Sequence, residues 1–178
     1  MIDIFIKGGL LMYPILVCSI VGMAVVINKA IQFRYLLNQF DNSFNNLLKS
    51  PPKVMIPIVE AINNGATEKE LSIIGTRQLR SIEGGLSWLG LISTITPLLG
   101  LTGTVTGMIK AFMVIAHSST VNPSMLASGI WEALITTAAG LLVAIPIHIA
   151  HHYLEKQADE IAFIMREFAT NIYIRTRN

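Results

Sequence analysis

Charged residues are scarce in this sequence, and their absence from three long segments decides the class of protein. Only 13% of the 178 residues are charged, whereas 52% are apolar, and the mean hydropathy is +0.58. No charge occurs in residues 8–28, 84–109 or 133–154, which are runs of 21, 26 and 22 residues. A helix needs about 20 apolar residues to cross the bilayer, where its backbone groups must bond within the segment. The sequence therefore predicts an all-α protein with three transmembrane helices in a lipid bilayer.

Cysteine and the usual catalytic motifs are also lacking. Cys18 is the single cysteine and lies in the first apolar run, which excludes a disulfide framework and suits a small buried residue. The sequence has no glycine-rich phosphate loop, no G-x-S-x-G, no H-E-x-x-H and no block of like charge typical of nucleic-acid binding. We therefore expect no enzyme, no cofactor and no nucleic-acid partner.

Three histidines near the end of the third run have a spacing that could suit a metal. His148, His151 and His152 stand at i, i+3 and i+4, a pattern that can hold a metal ion or a haem. No cysteine or carboxylate accompanies them within that turn. We favour titratable groups at a membrane interface and expect no metal site, with a metal or haem protein as an alternative.

The distribution of positive charge predicts the orientation in the membrane. Of the 13 Lys and Arg residues, 7 lie between the first and second runs and 4 lie after the third. By the positive-inside rule the N-terminus is periplasmic and the C-terminus cytoplasmic. The predicted organisation is a short outer N-terminus (1–8), transmembrane helix 1 (9–31), a cytoplasmic segment (32–83), transmembrane helix 2 (84–116), an outer loop (117–124), transmembrane helix 3 (125–154) and a cytoplasmic C-terminal helix (155–178).

Local signals outside the apolar runs predict how the second and third helices extend into the cytoplasm. Asn64-Gly65 closes a short helix, and Thr67 with Glu70 has the spacing of a capping box that opens the next one. No proline follows before Pro97, so we expect one helix to continue from the cytoplasm into the second span. After the third span, six apolar residues recur at spacings of four and three: Leu154, Ala158, Ile161, Met165, Phe168 and Ile172. This stripe predicts a neighbouring helix, either from the same chain or from another copy.

The short link between the second and third spans predicts an antiparallel hairpin, which aligns polar residues at equal depth. Each helix advances about 1.5 Å per residue, and the turn is centred near residues 120 to 122. Lys110 then lies opposite Glu132, and Thr104 lies opposite Thr137 roughly 8 Å deeper in the membrane. Glu132 is the only acid between Glu83 and Glu155. It is either half of a structural ion pair at the outer interface or an ion-path residue at the mouth of a pore.

The two halves of this hairpin carry a family likeness. The segment "ITPLLGLTGTVTGMIKAF", a short polar loop and "ASGIWEALITTAAGLLVAIP" resemble the proton-channel family of MotA, TolQ and ExbB, with the strongest similarity to ExbB and TolQ. The resemblance covers roughly residues 84 to 160. The residues that carry it are Pro97, Gly100, Gly103, Thr104, Gly107, Glu132, Ala133, Thr137, Gly140 and Pro146.

The resemblance implies a motor subunit in the bacterial inner membrane. Such a subunit forms a pentamer around a central pore, which encloses an ExbD- or TolR-like partner whose single span brings an aspartate. Proton flow down its gradient then drives a TonB- or TolA-like periplasm-spanning protein for outer-membrane transport or envelope maintenance. In this family pattern Thr104 and Thr137 are pore hydroxyls and Glu132 is the acid near the outer mouth. The glycines Gly100, Gly103, Gly107 and Gly140 serve helix packing, and Pro97 and Pro146 shape the pore helices.

The sequence departs from the pattern at two places that leave alternatives open. Lys110 faces Glu132, so the pair could be only a structural lock in a passive membrane scaffold. Thr102 and Thr106 add hydroxyls to the second span, which leaves a sodium-coupled relative possible. We favour protons, as the nearest relatives in the family imply.

Overall fold

The chain is mainly helical in the part that the computed structural model describes, which is residue 5 and residues 7–40, 51–117 and 123–177. Within these ranges there are five α-helices and no strand. The helices are α1 (Met12–Phe40), α2 (Ile56–Asn63), α3 (Glu68–Glu83), α4 (Leu86–Ala116) and α5 (Pro123–Arg177).

Three of these helices, α1, α4 and α5, are long and apolar enough to cross a membrane, which confirms the predicted all-α class for the described residues and agrees with the three predicted spans. Their apolar side chains are largely exposed in the single chain, as with Leu101 at 56%, Leu134 at 60% and Leu142 at 73%. In water such a surface would be strongly unfavourable, but it suits contact with lipid or with other helices in the membrane.

Two of the predicted helix boundaries are confirmed. Helix α2 ends at Asn63, and Gly65 follows in the left-handed region with φ of 75°. At the start of α3 the capping box is complete, because the Thr67 amide donates to Glu70 Oε2 at 2.8 Å and the Glu70 amide donates to Thr67 Oγ1 at 3.5 Å. Hydrogen bonds from the Thr67 amide and hydroxyl favour the ionised form and lower the pKa of Glu70. Helix α5 begins at Pro123, where the missing amide hydrogen costs no helical bond.

The expectation of one helix running from the cytoplasm into the second span was wrong. Helix α3 ends at Glu83 and α4 begins at Leu86. Two glycines lie between them, and Gly85 has φ of 102°, a conformation that residues with a Cβ rarely adopt. The absence of proline was a poor guide to continuity, since a Gly-Gly pair ends a helix equally well.

The chain divides into two compact units, of which the first contains Met1–Val26 with Trp88–His151 and the second Ile27–Ser87 with His152–Asn178. In the second unit all six residues of the apolar stripe on α5 are buried. Helix α3 is one of their neighbours, because α3 and α5 together line a cavity of about 350 Å³. Of the two partners foreseen for the stripe, helices of the same chain therefore cover it.

A buried lysine ties α1 to the end of α3 within the second unit. Lys29 is only 8% exposed, and its ammonium donates to the Ile82 carbonyl at 2.8 Å and to the Gln32 side chain at 2.9 Å. The Ile82 carbonyl lies in the last turn of α3, where helical carbonyls have no partner along the helix and a cation complements the helix dipole. Lys29 therefore stabilises the end of α3 just before the Gly84-Gly85 break.

Candidate functional site: the α4–α5 hairpin

Glycines on α4 and α5 let the two helix backbones touch. A Cβ added at Gly100 would lie 3.0 Å from the Thr137 Cα, and one at Gly140 would lie 2.8 Å from the Thr96 carbonyl oxygen. At Gly107 the nearest atom would be the Ala133 Cβ at 2.9 Å. Separations this short leave no room for a larger side chain, so each glycine is needed for close packing. The packing face is therefore formed by backbone as much as by side chains.

The contacts define a register close to the one expected from the sequence. Gly107 packs on Ala133, and Gly129 packs on Ala111, so both pairs are centred on residue 120, at the edge of the predicted range of 120 to 122. Deeper in the hairpin Thr137 lies against Gly100, a pair whose centre falls short of that range. The prolines Pro97 and Pro146 both lie inside their helices, neither of which ends there.

Glu132 and Lys110 are in contact across the hairpin. The Lys110 ammonium donates to Glu132 Oε1 at 2.7 Å, a short charge-assisted hydrogen bond. The Lys110 side chain is 61% exposed and the Glu132 side chain 27% exposed. The carboxylate is therefore the less accessible partner, and its charge is balanced by Lys110 within the chain.

The two candidate pore threonines bond to different carbonyls. The Thr137 hydroxyl donates across the hairpin to the Gly100 carbonyl at 2.8 Å, which the close approach at that glycine makes possible. The Thr104 hydroxyl instead donates to the Leu101 carbonyl of its own helix at 2.6 Å. Both residues remain partly exposed in the single chain. Each hydroxyl has therefore committed its one hydrogen and keeps lone pairs on its oxygen.

The remaining threonines of the hairpin divide into exposed and buried ones. Thr102 and Thr106 are exposed, and both donate to carbonyls one turn earlier in α4. Such bonds hide a hydroxyl without requiring water. Thr96 and Thr136 are buried at 0% and 1% exposure. The sequence indicated no separate role for Thr136, yet its hydroxyl lies close to the Gly8 carbonyl, 128 positions away in the chain.

A glycine turn ahead of α1 contacts the hairpin beside Glu132. The Thr136 hydroxyl lies 2.9 Å from the Gly8 carbonyl and 2.7 Å from the Glu132 carbonyl. The Cα of Gly9 faces the Glu132 side chain so closely that a Cβ there would overlap the carboxylate oxygen. Sequence reasoning missed this contact; the one signal that could have indicated it was the glycine pair in "KGGL".

In the part of the chain that the structure describes, the histidines belong to no cluster that could hold a metal ion. His148 and His152 are exposed, and the His151 ring lies near Gly90 of α4. Among the described residues no group of three or more His, Cys, Asp or Glu side chains could hold a metal ion.

Comparison with known proteins identifies the family. Residues 37–167 match the family model described as the MotA/TolQ/ExbB proton channel family, which is most of the chain. The chain belongs to the MotA/TolQ/ExbB proton channel family. The match includes α4 and most of α5 as well as the segment before them, so the resemblance first noted over residues 84–160 extends further in both directions.

Relatives of known name agree with this membership. The Tol-Pal system protein TolQ of Haemophilus influenzae is 36% identical over 102 residues, which is 57% of this chain and 44% of that protein. The biopolymer transport protein exbB1 of Vibrio cholerae is 28% identical over 176 residues, covering 85% of this chain and 77% of that protein. The biopolymer transport protein ExbB of Salmonella typhimurium is 32% identical over 107 residues, covering 60% and 42%.

Two of these relatives share only part of their length with the chain. The chain spans less than half of the TolQ protein and of the Salmonella ExbB protein that it matches.

Membership of a proton channel family, together with three helices able to cross a membrane, supports a multi-pass protein of the inner membrane.

Proposed function

We propose that this protein is the ExbB- or TolQ-like subunit of an ion-driven motor in the bacterial inner membrane. Several copies, five by the family pattern, surround a pore lined by α4 and α5. A single-span partner of the ExbD or TolR kind contributes a membrane aspartate, and the energised target is a TonB- or TolA-like protein that spans the periplasm. The N-terminus is periplasmic and the C-terminus cytoplasmic, as the distribution of Lys and Arg predicts.

The observation that carries the proposal is the state of the hairpin's polar groups. Glu132, the one acid between Glu83 and Glu155, is paired with Lys110, and the hydroxyls of Thr104 and Thr137 lie deeper in the same hairpin. None of these groups is an unpaired carboxylate that could bind and release protons. Glu132 is in an ion pair, and a threonine hydroxyl does not ionise at ordinary pH. A partner's carboxyl group is therefore required to carry the proton.

The hydroxyl geometry favours a partner aspartate that arrives protonated. Thr104 and Thr137 both donate to carbonyls, so they present oxygen lone pairs that can accept a hydrogen bond from a neutral carboxyl group. An ionised carboxylate would instead need a donor, which Thr137 can supply only by turning its hydroxyl away from Gly100. Each protonation step would thus change which hydrogen bonds the threonines make. Moving one charge through the membrane yields about 2.3 kcal/mol per 100 mV, so work requires repeated cycles.

A threonine series in the assembled complex tests this function. Thr137→Val removes the hydroxyl at nearly constant shape, whereas Thr137→Ser keeps it; Thr94→Val is the control, because Thr94 is exposed on α4 and bonds only to its own helix. We expect Thr137→Val to abolish energised function while the complex still assembles, and the other two variants to remain active. Full activity of Thr137→Val with the partner present would refute the proposed role.

The 2.7 Å contact between Lys110 and Glu132 supports a second candidate function, a passive membrane scaffold. In a scaffold the pair only holds the hairpin together, so exchanging the charges with Lys110→Glu and Glu132→Lys should restore both stability and function. In a motor the exchange restores assembly, but energised function stays lost because the acid has moved to the other helix. Glu132→Ala alone abolishes function in the motor and mainly lowers stability in the scaffold.

Whether protons or sodium ions drive the motor can be tested with ionophores that collapse one ion gradient at a time. The oxygen lone pairs of the threonines could also solvate sodium, so the sodium-coupled alternative makes a distinct prediction. Collapse of the proton gradient should stop a proton-driven motor at any sodium concentration. A motor that instead stops only when the sodium gradient is collapsed would replace protons with sodium in the proposal.

A further inference from the structure

The turn formed by residues 7–11, called here the N-terminal turn, is folded onto the hairpin rather than simply leading into α1. The Gly8 amide donates to the Phe5 carbonyl at 3.3 Å, and the Met12 amide donates to the Gly9 carbonyl at 3.2 Å. The Phe5 and Tyr13 rings meet edge to face with centroids 5.3 Å apart. These contacts make the turn a defined structure in front of α1.

Two contacts fasten this turn beside the acid of the hairpin. The buried Thr136 hydroxyl shares its one hydrogen between the Gly8 carbonyl at 2.9 Å and the Glu132 carbonyl at 2.7 Å, although Gly8 and Thr136 are 128 positions apart. The Cα of Gly9 lies against the carboxylate of Glu132, where a Cβ would overlap Oε1 and stand 3.1 Å from Cδ. Gly9 also has φ of 73°, which residues with a Cβ rarely adopt. Glycine is therefore needed at position 9 both for the backbone and for the space that Glu132 occupies.

The N-terminal turn lies against the same carboxylate, that of Glu132, that forms the ion pair with Lys110. The Glu132 side chain is 27% exposed, with Lys110 on one side and the N-terminal turn on another. Excluding water from an ion pair strengthens it, because the local dielectric constant falls. Opening the turn would admit water to the carboxylate and weaken its pair with Lys110.

We infer that the N-terminal turn is a lid that positions Glu132. When the lid is closed, Glu132 stays paired with Lys110 and shielded from water; when it opens, the carboxylate becomes accessible. Gly8, Gly9 and Thr136 are positioning residues in this scheme, since none of them carries the ion. The consequence for ion flow rests on the proposed function of Glu132, but the lid itself can be tested without it.

Gly65 provides a matched control for the lid. It has φ of 75°, close to that of Gly9, yet an added Cβ would meet nothing within 4 Å among the described residues. Alanine at either position therefore imposes the same backbone strain, and only Gly9→Ala would also push against Glu132. Thr136→Val and Thr136→Ser form a second pair, which removes or keeps the hydroxyl that bonds to Gly8.

The experiment measures how readily the Glu132 carboxyl group reacts with a reagent in water. The complex in lipid nanodiscs is treated with a water-soluble carbodiimide and glycine ethyl ester, and the adduct on Glu132 is quantified by mass spectrometry against exposed Glu68. We expect Gly9→Ala and Thr136→Val to raise Glu132 labelling severalfold. Gly65→Ala and Thr136→Ser should label as the unaltered protein does.

Each outcome either supports or overturns the lid. Unchanged Glu132 labelling in both Gly9→Ala and Thr136→Val, or an equal rise in Gly65→Ala, would overturn it. If Gly9→Ala fails to assemble, the comparison of Thr136→Val with Thr136→Ser tests the lid without it. Valine replaces threonine at nearly constant volume, so Thr136→Val is expected to assemble. Failure of the lid can be told apart from failure of the proposed function. If Glu132 labelling rises in Gly9→Ala and Thr136→Val while a separate Glu132→Gln variant keeps full energised function, the lid is supported and Glu132 has no part in the proposed function.

Discussion

The close approach of α4 and α5 predicts that one added methyl group at Gly140 destabilises the protein. A helical glycine replaced by alanine ordinarily gains about 0.5–1 kcal/mol, because the unfolded chain loses conformational freedom. At Gly140 the new Cβ would lie 2.8 Å from the Thr96 carbonyl oxygen and 3.2 Å from the Gly100 Cα. Both are backbone atoms that cannot rotate away, and overpacking of this kind costs about 1–3 kcal/mol. The net expectation for Gly140→Ala is a loss of up to about 2.5 kcal/mol.

Gly75→Ala is the matched control for this prediction. Gly75 lies inside α3, and a Cβ there would meet nothing within 4 Å in the described part of the chain. The propensity gain then stands alone, at about 0.5–1 kcal/mol. For a chain of this size 1 kcal/mol shifts the melting temperature by about 2–4 °C. Thermal unfolding in one detergent should therefore show Gly75→Ala melting above the unaltered protein and Gly140→Ala melting at or below it.

The result that would refute this reasoning is a shift of both variants in the same direction. A rise in both would mean that the helices separate easily, and the close packing of the hairpin would not hold in solution. A fall in both would mean that another helix occupies the space beside Gly75. Either result would invalidate energies worked out from the contacts of one chain.

Three further predictions concern the second unit. Thr67→Ala should lower the stability of α3 by about 1 kcal/mol. The capping box lowers the pKa of Glu70 in the folded state. The stability that ionised Glu70 contributes is therefore present above its unfolded-state pKa of about 4.3 and is lost as the pH falls through the folded-state pKa. Melting temperatures of Glu70→Gln and the unaltered protein should accordingly converge in acid. Ile161→Ala, at a position that is 0% exposed, should cost about 2–5 kcal/mol, whereas Phe163→Ala, at 68% exposure, should change the melting temperature little. Equal losses at the two positions would show that another surface covers Phe163.

Much of the hairpin was predictable because its rules are local and geometric. A fixed rise per residue and a short link determine which residues share a depth, so Lys110 and Glu132 could be paired by counting. Cap residues are similarly local, and Asn64-Gly65 and the Thr67 capping box are found where the sequence indicates them. The α3–α4 break was missed because a glycine pair is compatible with either a break or a weak helix.

The contacts that were not predictable depend on three-dimensional placement. Whether Thr137 donates to its own helix or across to Gly100 depends on how closely the helices approach, which no periodicity in the sequence reveals. The contact between Gly8 and Thr136 joins residues 128 positions apart and carries no pattern of its own. Such contacts are found only once the chain is folded.

The hairpin combines rigid backbone contacts at its glycines with polar side chains that can change their hydrogen bonds. Where Gly100 and Gly140 bring backbones together, any separation of the helices would open a void, and apolar packing is the main force that holds helices together in lipid. A hydroxyl rotates freely at little cost, however, and the ion pair of Glu132 depends on how much water reaches it. Movement in this unit should therefore occur at the hydroxyls and around Glu132, while the glycine contacts keep the register constant. A spectroscopic distance between labels on α4 and α5 that changed by several ångströms during the working cycle would contradict this division.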